Sequence, residues 1–217
     1  MMNELEIIAF PIQNWVKTII ILGTVLILFS RLYIGERFQY LFSFWNIHRY
    51  FHYKSGETIS LLTPNNVIIF FLRILTTSLF ILILFKDKYQ TEQEEFYFKL
   101  IVGLSLVILL KFLIEKTFSI IFGFKNKLRE VNRYRIGIKN LFAVHLYFYL
   151  LIIIFSDIPF NKIYNISFVL LILYNVFYFK FILNKYLIRG LKALVYFILY
   201  ICTFEIIPIA GVLYLVK

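Results

Sequence analysis

Six apolar runs, each close to the length of a membrane-crossing helix, constrain this chain more than any other feature. A helix needs about 20 apolar residues to cross the hydrocarbon core of a bilayer. Hydrophobic residues make up 61% of the 217 residues, more than one compact aqueous domain of this length can bury. We therefore predict an all-α integral membrane bundle of about six transmembrane helices, with residues 1–217 as a single domain. The predicted spans are about 15–33, 64–85, 96–114, 136–155, 163–183 and 191–216.

The extent of the third span is open in the sequence. Its uninterrupted apolar stretch, residues 100–110, is too short to cross a bilayer. The helix must therefore begin earlier, near Phe96, or continue past Lys111 and Glu115. We favour 96–114, which places Glu115 outside the bilayer. In the alternative, Lys111 and Glu115 form an ion pair inside the span, because residues four apart share a helix face.

Lysine and arginine are unevenly divided between the two sides of the predicted bundle. Most of the 23 basic residues fall between spans one and two, three and four, and five and six. Cytoplasmic loops retain these residues, so both termini are predicted to lie outside. The formal charge of +11 is accordingly an orientation signal rather than a nucleic-acid stripe. The predicted partner is the lipid bilayer, and no nucleic acid is expected.

The segment after the first span predicts an amphipathic helix lying in the membrane interface. Within residues 36–54, Gln39, Ser43 and Asn46 fall on one side at helical spacing, among many large apolar side chains. Four residues of this segment are expected to contact lipid at the interface: Arg37, Trp45, Arg49 and Lys54.

Glu205 is the leading polar candidate inside the membrane. It lies near the middle of the sixth span, three residues before Pro208. The proline ring removes the helical hydrogen bond to the carbonyl of Phe204. The carboxyl and this carbonyl form either a cation or proton site, or a kink whose polar atoms a neighbouring helix satisfies. We favour the structural interpretation.

Two further spans carry polar residues at membrane depth. Arg73 in the second span is placed to pair with Glu205 if the two helices are neighbours, or to extend its guanidinium to the inner headgroups. His145 in the fourth span, beside Asn140, is placed to complete a buried polar cluster. A lone histidine is more often a hydrogen-bonded packing residue than a ligand or base.

Recognisable catalytic patterns are missing from the sequence. The chain has three histidines and no G-x-S-x-G elbow, phosphate-binding glycine loop or H-E-x-x-H motif. His48 and His52 have the spacing of a helical metal site, but no carboxylate or thiolate lies near them. We therefore assign no catalytic residue, no metal and no cofactor, and the sequence argues against an enzyme.

Two stretches carry a family resemblance: Arg37-Phe38 through Arg49-Tyr50, and the closing run Tyr200-Ile-Cys-Thr-Phe-Glu-Ile-Ile-Pro208. With the length and the number of spans, they resemble an uncharacterised family of multi-pass inner-membrane proteins from the Bacteroidota. The resemblance covers most of the chain. It implies a Gram-negative inner membrane, which would make both termini periplasmic, and it implies no reaction or substrate.

Three functions are compatible with these observations. The leading hypothesis is a non-catalytic subunit or assembly factor of a cell-envelope complex, such as a secretion or motility apparatus, with a protein partner in the membrane. The second is a small transporter or ion-coupled permease that uses Arg73, His145 and Glu205, although no internal repeat is visible. The third is a lipid-modifying enzyme, which an intramembrane cavity lined by two or more of these residues would favour.

Overall fold

The computed structural model of the protein describes residues 14–42, 64–85, 93–121, 125–156 and 160–187. The regular structure in these ranges is entirely helical, which confirms the predicted all-α class. The elements are α1 (Asn14–Ile34), a 3₁₀ helix (Gly35–Leu41), α2 (Pro64–Leu84), α3 (Gln93–Ile121), α4 (Lys125–Phe155) and α5 (Phe160–Leu187). The predicted sixth span, 191–216, lies outside the described residues.

Five of these helices are long and apolar enough to cross a membrane. Their apolar segments are Asn14–Ile34, Pro64–Leu84, Gln93–Thr117, Tyr134–Phe155 and Lys162–Phe181. Each segment overlaps one of the first five predicted spans. An apolar helix of this length needs lipid or other helices to cover its surface. The protein is therefore a multi-pass membrane protein.

α2 and α4 form the centre of the described bundle. About half of the residues in their apolar windows are buried, 50% in α2 and 56% in α4. The corresponding fractions are 22% in α1, 11% in α3 and 17% in α5, so these three helices lie at the periphery. α2 contacts α1, α3 and α4, and α4 in turn contacts α5.

The buried apolar side chains form two layers along the bundle. One layer joins the end of α1, the start of α2 and the middle of α4, around Ile27, Ile69 and Leu141. The other layer joins the start of α1 to the later parts of α2 and α4, around Val16 and Ile83. Because α1 contributes its late residues where α2 contributes its early ones, these two helices run antiparallel.

The chain reverses direction immediately after α1. Gly35 has a φ of +60°, a left-handed conformation that glycine adopts without strain and that commonly ends helices. The 3₁₀ helix that follows packs Phe38 and Leu41 into the first core layer. The segment predicted to lie in the interface therefore begins by folding against the bundle, and its remainder, from residue 43, lies outside the described residues.

α3 is longer than the third predicted span at both ends. It runs from Gln93 to Ile121, rather than over 96–114, as one uninterrupted helix. Lys111 and Glu115 lie within it, and Glu115 is buried, at 6% exposed. The reason is a partner on another helix: the guanidinium of Arg135, on α4, binds the Glu115 carboxylate.

Candidate functional site

Two buried asparagines join the central helices. Nδ2 of Asn140 on α4 donates a hydrogen bond of 3.1 Å to Oδ1 of Asn66 on α2. Farther along the same helices, the rings of Phe80 and Tyr149 lie 6.3 Å apart. From the first pair to the second, the residue numbers rise along both helices, so α2 and α4 run parallel. Asn140, predicted to be a buried polar residue, thus links two helices.

Arg73 lies on α2 midway between these two pairs. It is two helical turns after Asn66 and two before Phe80, which sets its backbone at the level of His145 on α4. Its guanidinium carbon lies 5.3 Å from the centre of the Phe70 ring, a cation–π arrangement. Because Phe70 precedes Arg73 by three residues, the side chain extends back toward the start of α2. The predicted extension of the Arg73 guanidinium to the inner headgroups requires this direction.

His145 connects α4 to the end of the 3₁₀ helix. Its Nδ1 lies 2.9 Å from the carbonyl oxygen of Leu141, and its Nε2 lies 3.2 Å from that of Phe42. The Phe42 ring also packs 5.5 Å from the ring of Phe148. A neutral imidazole has one N–H, so the tautomer determines which carbonyl receives it. His145 and Phe148 together hold the chain where it leaves the 3₁₀ helix.

Tyr147 joins α4 to α1 at a close approach. Its hydroxyl lies 3.1 Å from the carbonyl oxygen of Ile20 and 2.6 Å from Oγ1 of Thr24. A β-carbon at Gly23 would lie 2.6 Å from Cε2 of Tyr147, so the ring occupies the space that a side chain at Gly23 would need. Small residues at membrane helix contacts allow such approaches.

A cavity of about 10 Å³ lies beside this contact, roughly the volume that one water molecule requires. It is lined by Ile19, Ile20, Gly23, Leu75, Thr76, Leu79, Tyr147 and Leu150. This lining is almost wholly apolar and includes neither Arg73 nor His145, so this cavity has neither the size nor the polar groups of a substrate site.

Two further hydrogen bonds link neighbouring helices. Oγ of Ser30 on α1 donates to Oδ1 of Asn65 on α2 at 2.9 Å. The Tyr149 hydroxyl on α4 lies 2.8 Å from Oγ of Ser167 on α5. With the contacts above, polar side chains bond α1 to α2, α1 to α4, α2 to α4 and α4 to α5.

A buried charged cluster lies between α3 and α4. Nη1 of Arg135 is 3.1 Å from Oε1 of Glu115 and 3.0 Å from Oδ1 of Asn132. Nζ of Lys111 is 3.9 Å from the same Glu115 oxygen. The alternative in which Lys111 and Glu115 pair along the helix therefore describes the structure, and the pair extends to a second helix. Among the described residues, no group of three or more histidine, cysteine, aspartate or glutamate side chains is placed to hold a metal ion.

Several contact residues have only a weak signal in the sequence. Gly23 interrupts the apolar run of α1, Asn66 immediately precedes that of α2, and both positions are helix contacts. Arg135 counts in the sequence as one of many loop cations, and nothing there indicates that it pairs with Glu115, 20 residues earlier. Tyr147 is one of 16 tyrosines and is not distinguished from the others.

For the other residues that the sequence analysis singles out, the structure describes the backbone of one. Arg37 belongs to the 3₁₀ helix by its backbone. The remainder lie outside the described ranges: Trp45, Arg49, Lys54, Glu205 and Pro208. The Arg73–Glu205 ion pair, the Glu205 site and the interfacial contacts therefore stay predictions.

The fold and these contacts define an α-helical multi-pass membrane protein whose helices are linked by buried polar side chains. A family model described as a domain of unknown function, DUF4271, matches residues 17–216. The chain belongs to this family, which confirms the resemblance to an uncharacterised family. Neither the curated proteins nor the solved structures contain a significant match.

Proposed function

We propose that the protein is a non-catalytic subunit or assembly factor of a cell-envelope complex in a bacterial inner membrane, with both termini periplasmic. The observation that carries this proposal is that the polar side chains form hydrogen bonds between helices. Asn66 and Asn140 bond α2 to α4, and Tyr147 bonds α4 to α1. In the part of the chain that the structure describes, these groups do not converge on a polar cavity, since the small cavity that Tyr147 lines is almost wholly apolar. An enzyme or carrier would place such groups together around its substrate.

The peripheral helices supply the surface that a partner would contact. α3 exposes apolar side chains around its circumference, and 11% of its apolar window is buried. α5 resembles it, with 17% buried. These surfaces suit both lipid and a helix of another protein, since membrane helices associate by close packing and a few polar contacts. A secretion or motility apparatus is one complex of this kind.

The orientation in this proposal follows from the basic residues. The end of α3 and the start of α4 carry a cluster of basic residues, which favours a cytoplasmic position for this side of the bundle: Lys116, Lys125, Lys127, Arg129 and Arg133. α4 begins at Lys125, whereas its apolar segment begins at Tyr134. About nine residues, or 13 Å of helix, therefore extend beyond the apolar segment on this side. Such an extension provides a cytoplasmic surface for assembly.

The test is purification of the tagged protein from its native membrane in mild detergent, with chemical cross-linking and mass spectrometry. A partner at constant stoichiometry supports the proposal. A Glu205→Ala variant, with Glu94→Ala as a control of equal charge change, then tests whether the carboxyl of the sixth predicted span contributes to assembly. Recovery of the wild-type protein as a lone monomer, with and without cross-linking, contradicts the proposal.

A small ion-coupled transporter is the second candidate, favoured by one observation. Arg73 and His145, both partly buried, lie at the same level on the two central helices, and ionisable groups at membrane depth often line transport pathways. Vesicles containing the wild-type, Arg73→Gln or His145→Gln protein should then differ in proton or cation flux. Equal fluxes from all three exclude these residues from a pathway.

A further inference from the structure

α5 carries an exposed amide well inside its membrane-crossing segment. Asn175 lies on the surface of the apolar segment Lys162–Phe181, six residues or about 9 Å of helix from its nearer end. At this depth an exposed side chain is surrounded by hydrocarbon or by another helix. A polar group in hydrocarbon costs free energy unless it finds a hydrogen-bonding partner. The exposed position of Asn175 therefore indicates a contact with a further helix.

The hydrogen bonds of this amide are incomplete. Nδ2 of Asn175 donates to the carbonyl oxygen of Leu171, one turn earlier on α5, at 2.8 Å. A carboxamide has a second N–H and an oxygen that accepts hydrogen bonds. Neither of these has a partner in the part of the chain that the structure describes. A second amide of the same kind would satisfy both groups, because each side chain would donate to the oxygen of the other.

Asn175 also belongs to a stripe with the spacing of a coiled coil. The members of this stripe are three and four residues apart in alternation, so they lie along one side of the helix. We call the stripe the α5 seam: Asn165, Phe168, Ile172, Asn175 and Phe179. The first four are exposed and Phe179 is half-buried. Ser167 and Tyr174, which contact α4, lie on another side of α5, so the seam is turned away from α4.

We propose that the α5 seam is the contact between two copies of this protein, in which Asn175 of each copy hydrogen-bonds Asn175 of the other. Copies inserted in the same orientation have parallel α5 helices at equal depth, so a two-fold axis along the membrane normal brings these residues together. In coiled coils a single asparagine in the seam fixes the register and the number of helices in the same way. Such a dimer is independent of the envelope complex proposed above.

The predicted sixth span, 191–216, is the competing occupant of the seam. α5 ends at Leu187, so a span that begins shortly afterwards would run antiparallel to it. Residues 191–216 include no asparagine or glutamine, so this span has no amide to pair reciprocally with Asn175. It is also a single helix, whereas 17% of the apolar window of α5 and 11% of that of α3 are buried. A second copy therefore fits the seam better.

The first experiment is disulfide cross-linking of the full chain in phosphatidylcholine vesicles. Cys202, the one cysteine of the sequence, is replaced by serine, and a single cysteine is placed at Asn165 or at Ile166. These exposed neighbours lie at nearly the same depth but about 100° apart around the helix. With an oxidant, Asn165→Cys should give several-fold more linked dimer than Ile166→Cys. Equal yields, high or low, overturn the proposal, because the seam then faces lipid or the sixth predicted span.

The second experiment measures how far the dimer withstands dilution in lipid, by energy transfer between copies labelled at an N-terminal tag. Asn175→Leu should need about tenfold more protein per lipid to dimerise, the effect of two hydrogen bonds between membrane helices. Leucine does not replace these bonds, because lipid tails are as apolar as its side chain. Asn175→Gln keeps the amide and should dimerise more tightly than Asn175→Leu. Leu173→Ala, at an exposed position beside the seam, is the control and should dimerise as the wild type does.

The outcomes separate the dimer from the proposed function. Wild-type dimerisation of Asn175→Leu, or an equal loss in Leu173→Ala, overturns the proposal, and equal weakness of Asn175→Gln and Asn175→Leu overturns the role of the amide. This protein alone is present in the vesicles, so failure to dimerise leaves the envelope complex untested and intact. Circular dichroism first confirms the helix content of each variant, which substitutions at exposed positions should preserve.

Discussion

Asn140 donates a hydrogen bond to Asn66 across the interface of α2 and α4, and both side chains are buried, at 3% and 6% exposed. A buried amide without a partner costs free energy in an apolar environment, and this hydrogen bond offsets part of that cost for both side chains. This pair fixes the level at which the two central helices meet. It lies close to Ser30 and Asn65, which bond α1 to α2 in the same way.

We expect Asn140→Ala to lower the free energy of unfolding by about 1 kcal/mol, because Oδ1 of the Asn66 side chain loses the hydrogen bond from Asn140. A double-mutant cycle with Asn66→Ala should give a coupling energy of about 0.6 kcal/mol, the typical value for hydrogen bonds between membrane helices. The measurement is reversible unfolding in mixed micelles. Strict additivity of the two substitutions would mean that the hydrogen bond contributes nothing.

The contact of Gly23 with Tyr147 predicts that α1 tolerates no larger residue there. Gly23→Ala should destabilise the protein by about 1–3 kcal/mol, because the new methyl group would overlap the tyrosine ring. Gly103→Ala is the control: a β-carbon at Gly103 would meet nothing within 4 Å. Since alanine favours helix over glycine, this second change should be neutral or stabilising. Equal thermal stability of the two variants would contradict the predicted clash.

The buried ion pair predicts a large effect from loss of one partner. Arg135→Gln should destabilise the protein by about 3–5 kcal/mol, because it leaves the Glu115 carboxylate buried without its closest cation. Lys99→Gln is the control, since Lys99 and Glu95 form an ion pair whose side chains are 66% and 63% exposed. It should leave stability unchanged. Thermal unfolding of both variants in the same detergent makes the comparison, and a small effect at Arg135 would show that water reaches the cluster.

The His145 contact predicts a local change rather than a global one. His145→Phe removes the Nε2 contact with the Phe42 carbonyl and should speed amide hydrogen exchange in residues 35–42 about fivefold, the effect of losing about 1 kcal/mol of local stability. Exchange in α2 and α3 should stay unchanged. Asn175→Leu, on exposed α5 surface, is the control. Uniformly faster exchange throughout the protein would indicate a role in overall folding instead.

The sequence predicts the helices of this protein better than it predicts their contacts. For α2, Pro64 and the apolar run after it set bounds within one residue of the helix Pro64–Leu84. α3 continues past the predicted span to Ile121, and the buried Glu115 within it has its partner, Arg135, on the next helix. Local hydropathy contains no information about such a pairing. The Asn66–Asn140 bond, across 74 residues, is unpredictable for the same reason.

Two buried serines offer a matched test of how hydroxyl groups contribute inside this bundle. Ser78 on α2 and Ser167 on α5 are both fully buried. Oγ of Ser167 lies 2.8 Å from the Tyr149 hydroxyl, whereas Oγ of Ser78 has no hydrogen-bond partner among the described residues. Ser167→Ala should therefore cost about 1 kcal/mol of unfolding free energy. Ser78→Ala should be neutral or stabilising, because it removes a polar group that is buried without compensation. Both substitutions remove the same atom from the same kind of environment, so the difference in their unfolding midpoints measures the hydrogen bond directly. If Ser78→Ala proves as destabilising as Ser167→Ala, packing rather than hydrogen bonding determines what these positions contribute.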